Sequence, residues 1–178
     1  MEITLQEQSQ ARGYFARANL AKGIVLGVIG GLVATLVMDL ILMGALWAVG
    51  YDPLSCFSIV GNTVGRFFSL LGTEMAGGVP AGVATHYIVG PVIGAIFGAA
   101  VTRADALRAC TVKKKIVLAI LYVEILSQPM LAMTPILLKN TTSEALLWFG
   151  GSFVMHFIYG FILSVIVLAP ELTGKRNQ

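Results

Sequence analysis

The apolar positions of this chain gather into four runs, over about residues 23–49, 81–101, 116–138 and 146–169. Each is long enough to cross the roughly 30 Å hydrocarbon core of a bilayer at about 1.5 Å per helical residue. The polar breaks between them are short, except the one over residues 50–80. Inside that break Phe57, Val60, Val64, Phe67, Phe68 and Leu71 recur at three-and-four spacing, with Gly61, Asn62, Gly65 and Arg66 opposite. This predicts an amphipathic helix over about 56–71, too short and too polar to span, lying on the outer surface as a cap or lid. Asp52-Pro53 marks a turn before it, and Ser55 is a candidate cap. Residues 1–19 are polar with scattered apolar positions and read as an interfacial lead-in. Residues 20–170 form one membrane domain, and 171–178 a tail. The fold class is therefore all-α: a polytopic membrane protein with a four-transmembrane-helix bundle and an extra amphipathic helix in the outer loop.

The small residues are patterned as strongly as the large ones. Glycine stands at 78, 82, 90, 94 and 98, and His86 fills the gap in that four-residue rhythm. Gly23, Gly27, Gly31, Thr35 and Asp39 repeat the pattern in the first run, and Ser152, His156, Gly160 and Ser164 in the fourth. Positions four apart share one helix ridge. Ridges of small residues suit helices that approach closely in lipid, where hydrophobicity does not drive association. Gly27, Gly31, Gly82, Gly90, Gly94, Gly98 and Gly160 are the expected packing positions. Each ridge meets or contains an ionisable group.

Composition agrees with the pattern. Of 178 residues, 57% are apolar and 12% charged, against about 25% charged in soluble domains, and the mean hydropathy is +0.84. The net charge of +3 does not indicate nucleic acid, because the basic residues sit between apolar runs. They carry topology instead. Arg12, Arg17, Lys22, Arg103, Arg108, Lys113, Lys114, Lys115, Lys175 and Arg176 share one side, and only Arg66 and Lys139 the other. Both termini are expected in the cytoplasm, in a multi-pass inner-membrane protein. Cys56 and Cys110 then lie on opposite sides and do not pair. The bilayer is the first partner; a homo-oligomer or a larger membrane complex is the second.

Prolines interrupt two runs. Pro91 frees the Tyr87 carbonyl, Pro129 that of Ile125 and Pro135 that of Leu131, and each needs another donor in lipid. Thr142 or Ser143 is expected to cap the fourth run, and Trp148 to anchor it at the interface. Two five-residue stretches match: His86-Tyr-Ile-Val-Gly90 and His156-Phe-Ile-Tyr-Gly160. Each follows a run carrying one acid, Asp39 or Glu124, as a parallel duplication of helix hairpins would produce.

Ionisable groups inside a bilayer are costly and face the bundle interior or a water cavity. Counted at 1.5 Å per residue, Asp39 and His86 lie about 25 Å above their basic boundaries and His156 about 22 Å. Gln128 lies at about 20 Å and Glu124 at about 13 Å, two turns below the others. Asp39, His86, His156 and Gln128 are thus expected to share one level, with Glu124 beneath. Four uses fit such a cluster. Hydrogen bonds among these groups can fix helix packing in a non-enzymatic subunit or accessory of a membrane assembly. Acid–histidine pairs can carry a proton or small ion. Asp39, His86 and His156 are candidate ligands for a divalent metal. Two histidines from facing helices can hold haem or another tetrapyrrole. No nucleophile motif or phosphate loop accompanies them, so no catalytic residue is assigned.

The arrangement of His-aromatic-x-x-Gly in the second and fourth runs, Pro129 in the third and Met38-Asp39 in the first resembles small four-span prokaryotic inner-membrane proteins of unknown function, the YagU-like group. The likeness covers about residues 22–169. It implies the four-span architecture and the inner-membrane location, and no activity.

Overall fold

In the computed structural model, residues 5–174 are described, with side chains over 20–172. All of the regular structure described there is helical: α1 (Leu5–Ala48), α2 (Ser55–Leu70), α3 (Gly78–Arg103), α4 (Asp105–Arg108), α5 (Val112–Leu138), α6 (Thr142–Val167) and α7 (Ala169–Gly174). Four stretches are long and apolar enough to cross a membrane: Leu20–Ala48, α3, α5 and α6. Lys175 and Arg176 lie outside the described residues, as does the side-chain detail of 5–19.

Local chemistry sets the helix ends. Thr111 caps α5 by accepting from the Lys114 N–H. Thr141, rather than Thr142 or Ser143, caps α6: its hydroxyl accepts from the Glu144 N–H while the Glu144 carboxylate accepts from the Thr141 N–H. This capping box satisfies two orphan donors at once. Between these helices Lys139 takes the left-handed conformation, and its N–H bonds the Pro135 carbonyl. Ser55 begins α2 and does not cap it. Asp52 orders the turn instead, its carboxylate accepting from the Leu54 N–H at 2.9 Å.

The helices pack in the order α3, α1, α6, α5, while α2 packs on both α3 and α5. The α1–α3 seam is built from glycine. A Cβ added at Gly27 would overlap the Gly94 carbonyl oxygen, and one at Gly94 would overlap that of Gly27. Gly31 and Gly23 stand likewise against the Gly90 and Gly98 carbonyls. Gly82 meets α2, where a Cβ would overlap the Phe57 carbonyl, and Gly61 of α2 meets the Gly78 carbonyl in return. On the other side of the bundle Gly160 lies on the backbone of Ile120. These approaches bring backbones together where any side chain would hold them apart.

α2, the helix expected as an outer cap or lid, packs against the bundle. It is wedged between α3 and α5, and its Thr63 hydroxyl donates to that of Thr134 at 3.1 Å in a buried contact. Its inward side carries Phe57, Val60, Gly61, Thr63 and Gly65, whereas Phe67, Phe68 and Leu70 are exposed. The large apolar side chains toward its C-terminal end therefore point away from the bundle.

A packed layer including Phe97, Val101, Ala119, Leu163 and Val167 fills the end of the bundle opposite α2. At that end Lys115, only 3% exposed, reaches both carboxylate oxygens of Glu171 on α7 at 2.7 and 2.8 Å. Near α2 the same bundle opens into a cavity.

Candidate functional site

The cavity has a volume of about 570 Å³ and takes its walls from α1, α2, α3, α5 and α6. Most of the lining is apolar: Met38 and Leu42 of α1, Ile59 and Val60 of α2, Met130 and Leu131 of α5. His86 and His156 both open onto it. Asn140 and Glu144 mark its end near the α5–α6 turn.

At its opposite end, lined by Tyr159, two tyrosines tie separate helices together. The Tyr159 hydroxyl donates to the Gly90 carbonyl at 2.6 Å, and that of Tyr122 to the Ile93 carbonyl at 3.0 Å. Tyr122 also stacks at a tilt on Phe97, with ring centroids 5.7 Å apart. A buried tyrosine needs a partner for its hydroxyl. Neither tyrosine was singled out from sequence; the available signal was a phenol inside an apolar run.

Asp39 and His86 meet. Asp39 is 3% exposed, and its Oδ1 lies 2.8 Å from His86 Nδ1. The bond joins α1 to α3 one turn beyond their glycine seam. Asp39 Oδ2 is buried without a partner among the described residues. Phe57 of α2 sets its ring edge-on to the imidazole at a centroid distance of 5.2 Å. These contacts hold the His86 ring in one orientation, with Nδ1 occupied and Nε2 free of Asp39. The negative field of Asp39 also reaches Cys56 on α2, which lines the same cavity. Burial first, and that field second, push the Cys56 thiol up to about 12.

His156 shares the cavity wall. Its Nδ1 is buried and has no hydrogen-bond partner among the described residues. The remaining expected members are placed differently. Gln128 is exposed, lies away from the cavity and donates at 3.2 Å to the Glu124 backbone carbonyl one turn back on α5. It does not join the cluster. Glu124 is 8% exposed, outside the cavity lining, with both carboxylate oxygens buried and unpartnered among the described residues. Its expected depth, two turns beneath the histidines, is also corrected. The contact of Gly160 with Ile120 fixes the register of these antiparallel helices, and one turn further along each brings Glu124 level with His156. The depth count erred because Lys115 lies inside the bundle and Glu171 belongs to α7. Neither marks the boundary of its run.

Among the described residues no three His, Cys, Asp or Glu side chains are grouped to hold a metal ion. Asp39, His86 and His156 therefore do not form a convergent donor set: Asp39 spends its Oδ1 on His86 and stands behind it. Trp148, expected as an interfacial anchor, lines the cavity and donates from Nε1 to the Leu131 carbonyl at 3.2 Å. That is the carbonyl Pro135 deprives of its helical partner. No protein-family model, curated protein or solved structure matches this chain.

Proposed function

We propose that this protein is a non-enzymatic membrane subunit or accessory that holds one amphiphilic molecule in its cavity, apolar body against the helices and polar end on His86 and His156. One observation carries the reading: imidazoles from two different helices open onto a single, mostly apolar space of about 570 Å³. Protein interiors are close-packed, so a cluster serving only to fix helix packing has no need of such a space. Its size and lining match those of small-molecule sites, which pair apolar walls with a few placed polar groups.

The Asp39–His86 bond supports the same reading. A carboxylate on Nδ1 sets the tautomer and orientation of an imidazole and raises the basicity of Nε2, as it does for metal-binding histidines. That bond favours a second reading, in which the occupant is haem or another tetrapyrrole held through His86 and His156. A proton or ion pathway has less support, because the layer around Phe97, Tyr122 and Tyr159 is packed beneath the cavity.

In the membrane, this reading has both termini in the cytoplasm, the cavity in the outer half of an inner-membrane bundle and both histidines within the bilayer. The support is the gathering of ten of the twelve basic residues beside the α1 start, the α3–α5 turn and the α6 end, by the positive-inside rule. The likeness to the YagU-like group belongs to the same proposal.

Trp148 supplies the test. The other tryptophan, Trp47, is 74% exposed, so a Trp47→Phe protein reports from the cavity wall alone. A bromine-labelled fatty acid titrated into that protein in detergent should quench Trp148 saturably. Gly151→Leu, which fills the cavity from a position with open space at its Cβ, should abolish the saturable part. Quenching that stays linear in probe, or that Gly151→Leu leaves unchanged, removes the amphiphile reading. Haemin addition with a low-spin spectrum lost in both His86→Ala and His156→Ala would select the tetrapyrrole instead.

A further inference from the structure

We propose that Glu124 is the acid partner of His156, forming a second acid–imidazole pair that answers Asp39–His86 from the other hairpin. The two hairpins share one register. In the α1–α3 hairpin Gly90 lies against Thr35, where an added Cβ would overlap the hydroxyl. His86 stands four residues before that glycine and Asp39 four after that threonine. The pair so placed closes at 2.8 Å. In the α5–α6 hairpin Gly160 lies against Ile120, an added Cβ falling 2.8 Å from the Ile120 Cα. His156 again stands four residues before the glycine, and Glu124 four after the residue it meets. Both hairpins are antiparallel, so equal steps outward bring the acid and the imidazole to equivalent places.

The unpartnered atoms agree with this register. Glu124 is 8% exposed, and neither carboxylate oxygen has a hydrogen-bond partner among the described residues. The neighbouring polar groups Ser127 and Gln128 bond its backbone carbonyl and leave the carboxylate alone. On His156 the buried atom without a partner is Nδ1, the same nitrogen that His86 gives to Asp39. Buried polar groups in a bilayer are paired as a rule. Here both stand at one level without a hydrogen bond between them, and rotation of the Glu124 side chain is the movement that closes the pair. The residue types fit the spacing. Glycines line both sides of the α1–α3 seam, whereas isoleucine faces glycine at the α5–α6 contact. The extra methylene of glutamate over aspartate supplies the added reach.

The pairing stands on the register alone. Only its role rests on the binding reading above: with both Nδ1 atoms held by carboxyl groups, both Nε2 atoms are left to the occupant of the cavity. The test uses the full chain without added ligand, so its outcome is separate from whether an amphiphile binds. The chain has two histidines, so ¹⁵N-histidine labelling yields two imidazole signal sets, assigned with His86→Ala and His156→Ala. Glu124→Gln should shift the His156 Nδ1 resonance by several ppm and leave His86 in place; Asp39→Asn should do the reverse. A dipolar-recoupling measurement between ¹³Cδ of Glu124 and ¹⁵Nδ1 of His156 in wild-type protein should give a separation near 4 Å, as a hydrogen bond requires. His156 resonances unmoved by Glu124→Gln, equal movement of both histidines, or no dipolar contact would each overturn the pair.

Discussion

Gly94→Ala tests what holds α1 against α3. The new methyl would fall on the Gly27 carbonyl oxygen, with the Gly31 Cα 3.0 Å away. Both neighbours are α1 backbone, so no side chain can swing aside. Ordinary contact begins at 3.4 Å, so α1 must retreat by about 1 Å, and it takes the Gly23–Gly98 and Gly31–Gly90 approaches with it because the helix moves as a rod. Overpacking costs about 1–3 kcal/mol, and an overlap of backbone on backbone that no rotamer relieves falls in the upper part of that range, about 2–3 kcal/mol. Alanine returns up to about 1 kcal/mol of helix propensity. The net loss is about 1–2 kcal/mol, and a chain of this size loses about 2–4 °C per kcal/mol. The midpoint for survival as a monodisperse species, measured by size exclusion after heating in detergent, should fall by about 2–8 °C. Gly150→Ala is the control: nothing lies within 4 Å of its added Cβ, so its midpoint should match or slightly exceed that of wild type. A Gly94→Ala protein as stable as the control would refute close backbone approach as the source of the seam's stability.

Other substitutions probe single contacts. Asp39→Ala leaves His86 Nδ1 without its hydrogen-bond partner and should cost about 1–3 kcal/mol, read as a lowered thermal midpoint; Asp39→Asn, which keeps a hydrogen bond, should cost less. Tyr159→Phe removes one buried hydroxyl from the Gly90 carbonyl and should cost about 1–2 kcal/mol with the helical circular dichroism unchanged. Trp148→Phe strips the Leu131 carbonyl of its donor, at a cost of about 1–3 kcal/mol. Pro135→Ala restores the helical N–H to that carbonyl, so the cost of Trp148→Phe should shrink in that background, and a double-mutant cycle without coupling would count against the bond. With its pKa at about 12, Cys56 presents almost no thiolate near neutrality. Maleimide should spare it in folded protein at pH 7 and label it about ten times faster per pH unit above that, until pH nears 12; rapid labelling at pH 7 would show that the thiol is not shielded.

Some of these contacts are legible in the sequence and others are not. Pro135 in an apolar run was enough to predict that the Leu131 carbonyl needs a donor. That the donor is Trp148 was not, because it comes from another helix, 17 residues on. Asp39, His86 and His156 stood out as ionisable groups in apolar runs. Which of them touch depends on how the helices rotate and slide: Asp39 bonds His86, while His156 reaches the cavity with Nδ1 unpartnered. Gln128 stood out equally and faces away. The depth of Glu124 was misread because charge does not mark a helix end when, as at Lys115, it is buried in an ion pair.

The sequence by itself determined the four apolar runs, the glycine ridges and the carbonyls freed by proline. These are set by bilayer thickness, by the 3.6-residue period and by the covalent structure of proline, all of them local constraints. Only the tertiary structure decided which ridge meets which, that α2 is wedged between α3 and α5, and that the space near α2 stays open. Hydrophobicity alone does not choose among the large apolar side chains of α2, of which Phe57 and Val60 are buried and Phe67 and Phe68 exposed. Close backbone contact does: Gly61 and Gly82 hold α2 to α3, and Phe67 and Phe68 are left to face outward.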